Sequence, residues 1–113
     1  MSDQCIFCKI VAGEIPSARV LDHERVIAFR DVNPQAPTHV LVVPRAHVPG
    51  LAELPARDPL WNELLNAVQE VVRAEGLAQG FRVVVNQGGD GGQTVQHLHL
   101  HVLGGRALTW PPG

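Results

Sequence analysis

Five residues near the C-terminus constrain this chain more than any others: His97-Leu98-His99-Leu100-His101. On an extended strand, side chains two positions apart share a face. The pattern therefore predicts His97, His99 and His101 on one face, with Leu98, Leu100 and Val102 turned into a core. Same-face neighbours on a strand stand roughly 6.6 Å apart. That gap is too wide for direct ring-to-ring bonding and suits a water, ligand or phosphoryl group held between the rings. Histidine has a reference pKa of about 6.5, so it is mostly neutral, and hence nucleophilic, at physiological pH. One ring nitrogen can attack while the other donates to a carbonyl that fixes the tautomer. A lone strand histidine implies no chemistry; three in strict alternation do.

Directly upstream runs Gly88-Gly89-Asp90-Gly91-Gly92-Gln93-Thr94. Glycines let backbone N–H groups approach an anion closely, and Thr94 adds a hydroxyl donor. Because this run feeds into the histidines, it reads as a phosphate cradle beside a nucleophile.

The rest of the chain supplies the frame. Cys5 to Ala12 reads as a short helix, closed by Gly13 and the Ile15-Pro16 step. Ala18 to Asp22 and Val26 to Arg30 read as strands joined by a turn at Asp22-His23-Glu24-Arg25. Asn33 to Pro37 is a proline-punctuated loop, and Thr38 to Val43 a strand closed by Pro44. Leu60, Leu64, Leu65, Val68, Val71 and Val72 recur at helical spacing. Asp58 suits the N-cap of that helix, Pro59 its first position and Gly76 its stop. Strands are expected at Phe81 to Asn86 and Val95 to Leu103. This order predicts an α+β domain with an antiparallel sheet, one long helix and one short helix.

A chain of 113 residues supports one domain, residues 1–113, around a modest core. Its apolar runs, such as Val40 to Val43, are too short to span a bilayer. The N-terminus carries Asp3 and lacks a basic segment followed by a long apolar one, so a cytoplasmic protein is expected. The net charge is −2 with no cluster of Lys or Arg, which points to a small ligand and away from nucleic acid. Cys5-x-x-Cys8 in such a setting suggests a metal site or redox chemistry more than a structural disulfide.

The histidine run resembles the signature of the histidine triad (HIT) superfamily. Further segments resemble its nucleotide-binding HINT branch: Asp31 to His39, Val84-Val85-Asn86, Asp90 to Gln93, Gly104-Gly105-Arg106, and the tail Trp110-Pro111-Pro112-Gly113. The resemblance spans Ile6 to Gly113. It implies a homodimer whose two sheets continue as one of ten strands, and hydrolysis of the P–N bond of purine nucleoside phosphoramidates. It makes His99, the middle histidine, the nucleophile that forms a nucleotidyl-histidine for water to cleave. His101 would hydrogen-bond the phosphate. Gly92, Gln93, Thr94 and Asn86 would hold the phosphate region, Asp31 the ribose hydroxyls and Val32 the base. Trp110 would reach the other subunit's site, and His39 would be structural. Relatives that share Cys5-x-x-Cys8 bind zinc with two histidines, here His47 and His97, as a closed structural site. Without zinc, His47 and His97 would support the triad through hydrogen bonds and proton relay. His23 is expected in a solvated turn.

Three other readings share some of these residues: dinucleoside polyphosphate hydrolysis or nucleotidyl transfer, a nucleotide-binding regulator without catalysis, and a zinc module. The zinc module leaves His99 and the glycine loop unexplained.

Overall fold

The computed structural model describes residues 4–113; Asp3, which entered the reading of the N-terminal segment, lies outside the described residues. The chain forms helix α1 (Ile6–Val11), strands β1 (Arg19–Asp22), β2 (Val26–Arg30) and β3 (Thr38–Pro44), helix α2 (Leu60–Ala74), and strands β4 (Phe81–Val84) and β5 (Leu100–Gly104). A short 3-10 helix, Leu51–Glu53, lies between β3 and α2 and was not expected from the sequence. The five strands make one sheet in the order β1-β2-β3-β5-β4, every pair antiparallel. The α+β architecture expected from the sequence is the one observed.

Strand β3 is buried along its whole length because helices cover both faces of the sheet. Alternation sorts its residues. Val40 and Val42 join Val26, Ala28, Leu100 and Val102 under α2. Leu41 and Val43 join Ile27, Phe29, Phe7 and Ile10 on the α1 side. Fully burying a Val, Leu or Phe side chain contributes roughly 1.5–3 kcal/mol, so these two faces dominate the stability of the sheet. The α2 stripe is narrower than its periodicity suggests. Leu60, Leu64, Val68 and Val71 are buried with Ala67, whereas Leu65 is 52% exposed. Pro59 occupies the N-cap rather than the first helical position, but the Asp58 carboxylate still accepts the Leu60 N–H at 2.8 Å. At the other end Glu75 pairs with both Arg30 amino groups at 2.8 and 2.9 Å, fixing α2 to β2.

Two strands are shorter than expected, and the difference matters for the site. Strand β4 ends at Val84, and β5 begins at Leu100 rather than Val95. The segment before Leu100 is drawn away from the sheet, because Leu98 N–H donates to the Val48 carbonyl at 2.7 Å. His97 and His99 therefore precede the regular strand, yet the expected alternation holds: Leu98, Leu100 and Val102 enter the core under α2, and the three imidazoles stand on the α1 side, His97 and His99 against Phe7 and His101 against His99.

Candidate functional site

Strand β5 and the segment leading into it place the three histidines differently. His99 is buried, and its Nδ1–H donates to the His97 carbonyl at 2.7 Å. A neutral imidazole carries one proton, so this bond leaves the lone pair on Nε2. Phe7 of α1 stands edge-on to the ring, with centroids 5.0 Å apart. The His99 and His101 ring centroids are also 5.0 Å apart.

His101 belongs to a second arrangement that sequence reading missed. In the register of β3 with β5, Leu41 faces His101 and His39 faces Leu103, so His39 is the diagonal neighbour of His101 on the same face. The Gln35 N–H donates to His39 Nδ1 at 3.0 Å. His39 must then carry its proton on Nε2, which lies 2.9 Å from His101 Nδ1 and 3.4 Å from the Asp31 carboxylate. His101 Nδ1 accepts, so the His101 proton sits on Nε2. That Nε2 is buried and has no partner. Burial, helped by repulsion from His99 and His39 and opposed by Asp31, pushes the His101 imidazolium down to about 4. Burial likewise lowers His39, against the pull of Asp31. The two rings are thus held neutral, with an N–H aimed into the site. Asp31, His39 and His101 also offer a set of metal donors. The Gln35 amide argues against a metal there, because it occupies the Nδ1 lone pair of His39 and leaves its Nε2 protonated.

His97 faces a different cluster. Its Nδ1 lies 3.4 Å from Cys5 Sγ and 3.6 Å from Cys8 Sγ, and Cys8 Sγ lies 3.3 Å from His47 Nδ1. Cys5 is the N-cap of α1, which brings both sulfurs to the start of the helix. A tetrahedral zinc with Zn–S of about 2.3 Å and Zn–N of about 2.05 Å has S···N edges of roughly 3.5 Å, so this donor set fits the ion. The His97 Nε2–H donates to the Pro44 carbonyl at 2.8 Å, which turns the Nδ1 lone pair toward the sulfurs. His97 therefore serves two places: its ring faces the cysteines, and its carbonyl fixes the tautomer of His99.

The remaining predicted residues divide by whether the fold already uses their polar groups. The Gly92 N–H is bound to the Gly89 carbonyl and the Gln93 N–H to the Gly88 carbonyl. The Gln93 carboxamide is committed as well: its oxygen accepts from Gly88 N–H, and its nitrogen donates to the Pro49 and Val95 carbonyls. Gln93 thus holds the loop rather than offering a free amide to a phosphate. Asn86, two residues past the His101 partner Val84, and Thr94 have no intramolecular polar partner among the described residues. The Asp31 carboxylate accepts the Asn33 N–H in addition to facing His39. Val32 is fully exposed and Trp110 is 81% exposed, so neither is enclosed within one chain. Arg82 anchors the tail by donating to the Leu108 and Thr109 carbonyls. His23 lies in the exposed turn between β1 and β2, as expected, and there pairs with Glu70 at 2.5 Å.

Comparison with known proteins agrees with this arrangement. The HIT domain family matches residues 12–108. The chain is 49% identical over 111 residues to the 14 kDa zinc-binding protein of Zea mays, covering 96% of this chain and 87% of that one. It is 44% identical over 111 residues to the adenylylsulfatase HINT1 of Arabidopsis thaliana, covering 96% and 76%. The crystal structure of a HIT family hydrolase from Legionella pneumophila superposes with a TM-score of 0.94 at 46% identity, covering 97% of this chain and 100% of that one. With the triad, the sheet and the whole length in agreement, this chain belongs to the HIT domain family.

Proposed function

We propose that the chain is a hydrolase of purine nucleoside phosphoramidates that works through a nucleotidyl group on His99. One observation carries this reading. The fold fixes the tautomers of His99 and His101 so that an Nε2 lone pair and a buried Nε2–H are left unused beside each other. A lone pair next to a donor suits attack on phosphorus with the phosphoryl oxygen held in place. In the first step the His99 Nε2–P bond forms and the P–N bond to the amine breaks. The amine leaves with a proton taken from solvent. Water then attacks the same phosphorus, the bond to His99 breaks, and the proton lost by that water returns to solvent. His101 Nε2–H stabilises the oxygen charge in both steps. Asn86 and Thr94 supply further donors, Asp31 and Val32 meet the nucleoside, and His39 orients His101.

Zinc on Cys5, Cys8, His47 and His97 belongs to the same reading, supported by the donor spacing and by the name of the maize relative. A four-ligand site is closed, so zinc would supply a cross-link between α1 and the segment carrying His99, and no reactive chemistry. Cys5 and Cys8 as reduced thiols are consistent with a cytoplasmic location. No helix among the described residues is long and apolar enough to cross a membrane. A homodimer is the proposed assembly, with β4 as the joining edge. On the α2 side of the sheet β4 exposes Phe81 and Val83. Next to them lies a cavity of about 590 Å³ lined by Leu77, Phe81, Arg82, Arg106 and Leu108 among others.

A second reading comes from the name of the Arabidopsis relative, an adenylylsulfatase. The same nucleophile would then cleave a P–O bond with sulfate as leaving group. A substrate panel of adenosine phosphoramidate, guanosine phosphoramidate, adenylyl sulfate and a dinucleoside polyphosphate decides between them by kcat/KM. The proposal predicts the highest values for the phosphoramidates. It also predicts that His99→Asn loses roughly three or more orders of magnitude in kcat while still binding purine nucleoside monophosphate. Retained turnover in that variant would contradict the mechanism.

A further inference from the structure

Gln93 is 8% exposed, and its side chain joins three separate backbone segments. Its oxygen takes the Gly88 N–H at 2.9 Å, across the mouth of the glycine loop. Its nitrogen donates to Pro49 at 2.8 Å and to Val95 at 3.0 Å. With Gln93 N–H on the Gly88 carbonyl, the loop is closed by a reciprocal pair of bonds. The loop between them is tightly wound. Gly88 and Gly92 sit at positive φ, +71° and +80°, and a Cβ on Gly91 would stand 2.3 Å from the Gln87 carbonyl. Thr94 lies between the two residues pinned in this way, and its N–H and hydroxyl have no intramolecular partner among the described residues.

We infer that Gln93 is a positioning residue: it holds Thr94 so that the amide and hydroxyl meet the phosphate of a bound nucleotide, without touching the phosphate itself. This rests on the nucleotide reading above and adds how the phosphate donors are held. A flexible loop would have to be ordered on each binding event, at roughly 1–2 kcal/mol of backbone entropy per residue. Three bonds from one buried carboxamide order it in advance. The carboxamide is needed in full. Glutamate keeps the acceptor for Gly88 but loses both donors, and leucine loses all three contacts.

The test compares purine nucleoside with its 5′-monophosphate by calorimetry, in the unaltered protein and in Gln93→Glu and Gln93→Leu. A positioning role predicts that monophosphate affinity falls roughly tenfold or more in both variants while nucleoside affinity changes by less than about twofold. A general loss of structure would lower both together, and that result overturns the inference. So does unchanged monophosphate affinity. If the variants do not fold, amide NMR of the unaltered protein gives the answer. Adding monophosphate should shift the Thr94 N–H strongly and leave the Gln93 side-chain NH₂ signals in place; a large shift of those NH₂ signals would mean direct contact and overturn it. An unaltered protein that binds nucleoside and monophosphate equally well removes the nucleotide reading itself, and the inference with it. That failure is distinct from one seen only in the variants.

Discussion

His101 titrates in a way that links the site to the stability of the fold. Its ordinary value is 6.5, and in the folded chain burial and two neighbouring imidazoles hold it near 4. The unfolded chain therefore binds a proton below pH 6.5 that the folded chain refuses until about pH 4. Stability from this group is complete above the unfolded value and is lost as pH falls toward the folded value. His39, also lowered by burial, acts in the same sense. Urea midpoints measured from about pH 7.5 down to about pH 4.5 should fall, and His101→Asn should flatten that slope. An equal slope in the variant would contradict the assignment. The partner that sets this behaviour, His39, was not legible in the sequence. Alternation within a strand marks His97, His99 and His101, but only the register of β3 on β5 brings His39 diagonal to His101. The Gln35 amide that fixes its tautomer comes from the loop before β3, which no periodicity describes.

At the scale of elements, the frame was readable and the ends of strands were not. Helix α2 and strands β2 and β3 follow from apolar spacing, because each buries apolar side chains in the core, and β1 follows as the partner of β2 across a short turn. Val95 to His99 have the alternation of a strand, yet the Val48 carbonyl takes the Leu98 N–H and the segment leaves the sheet. That hydrogen bond to a distant carbonyl marks where the local pattern gives way, and the His97 Nε2–H on the Pro44 carbonyl turns the ring's Nδ1 toward the cysteines of α1. Zinc is expected to lock this junction. Protein purified without chelator should contain about one zinc per chain, and the double variant Cys5→Ser, Cys8→Ser should contain none. The same variant should melt lower, by roughly 4 °C for each ~1 kcal/mol of lost cross-link. Reduced protein free of zinc, with an unchanged melting temperature in the variant, would contradict the metal site.

At the scale of the whole molecule, the sheet has two open edges among the described residues, β1 and β4. The pairing of β1 with β2 is interrupted by a register shift between Arg19 and Leu21, and charged Arg19 and Asp22 bound the strand. Such features blunt an edge against further pairing. Strand β4 carries exposed Phe81 and Val83 instead. A lysine introduced there should disfavour pairing. If β4 joins the proposed homodimer, Val83→Lys shifts the mass seen by light scattering from dimer to monomer while the circular dichroism stays that of the folded chain. A dimer of unchanged strength would place the interface elsewhere.

Central to the proposed chemistry is His99 as the residue that takes the nucleotidyl group, its Nδ1 tied to the His97 carbonyl and its Nε2 free. Rapid quenching of the protein with a purine nucleoside phosphoramidate, followed by peptide mass spectrometry, reads this directly. A nucleotidyl adduct on His99 is the predicted result. An adduct on His97 or His101, or turnover with no covalent intermediate on any histidine, would contradict it.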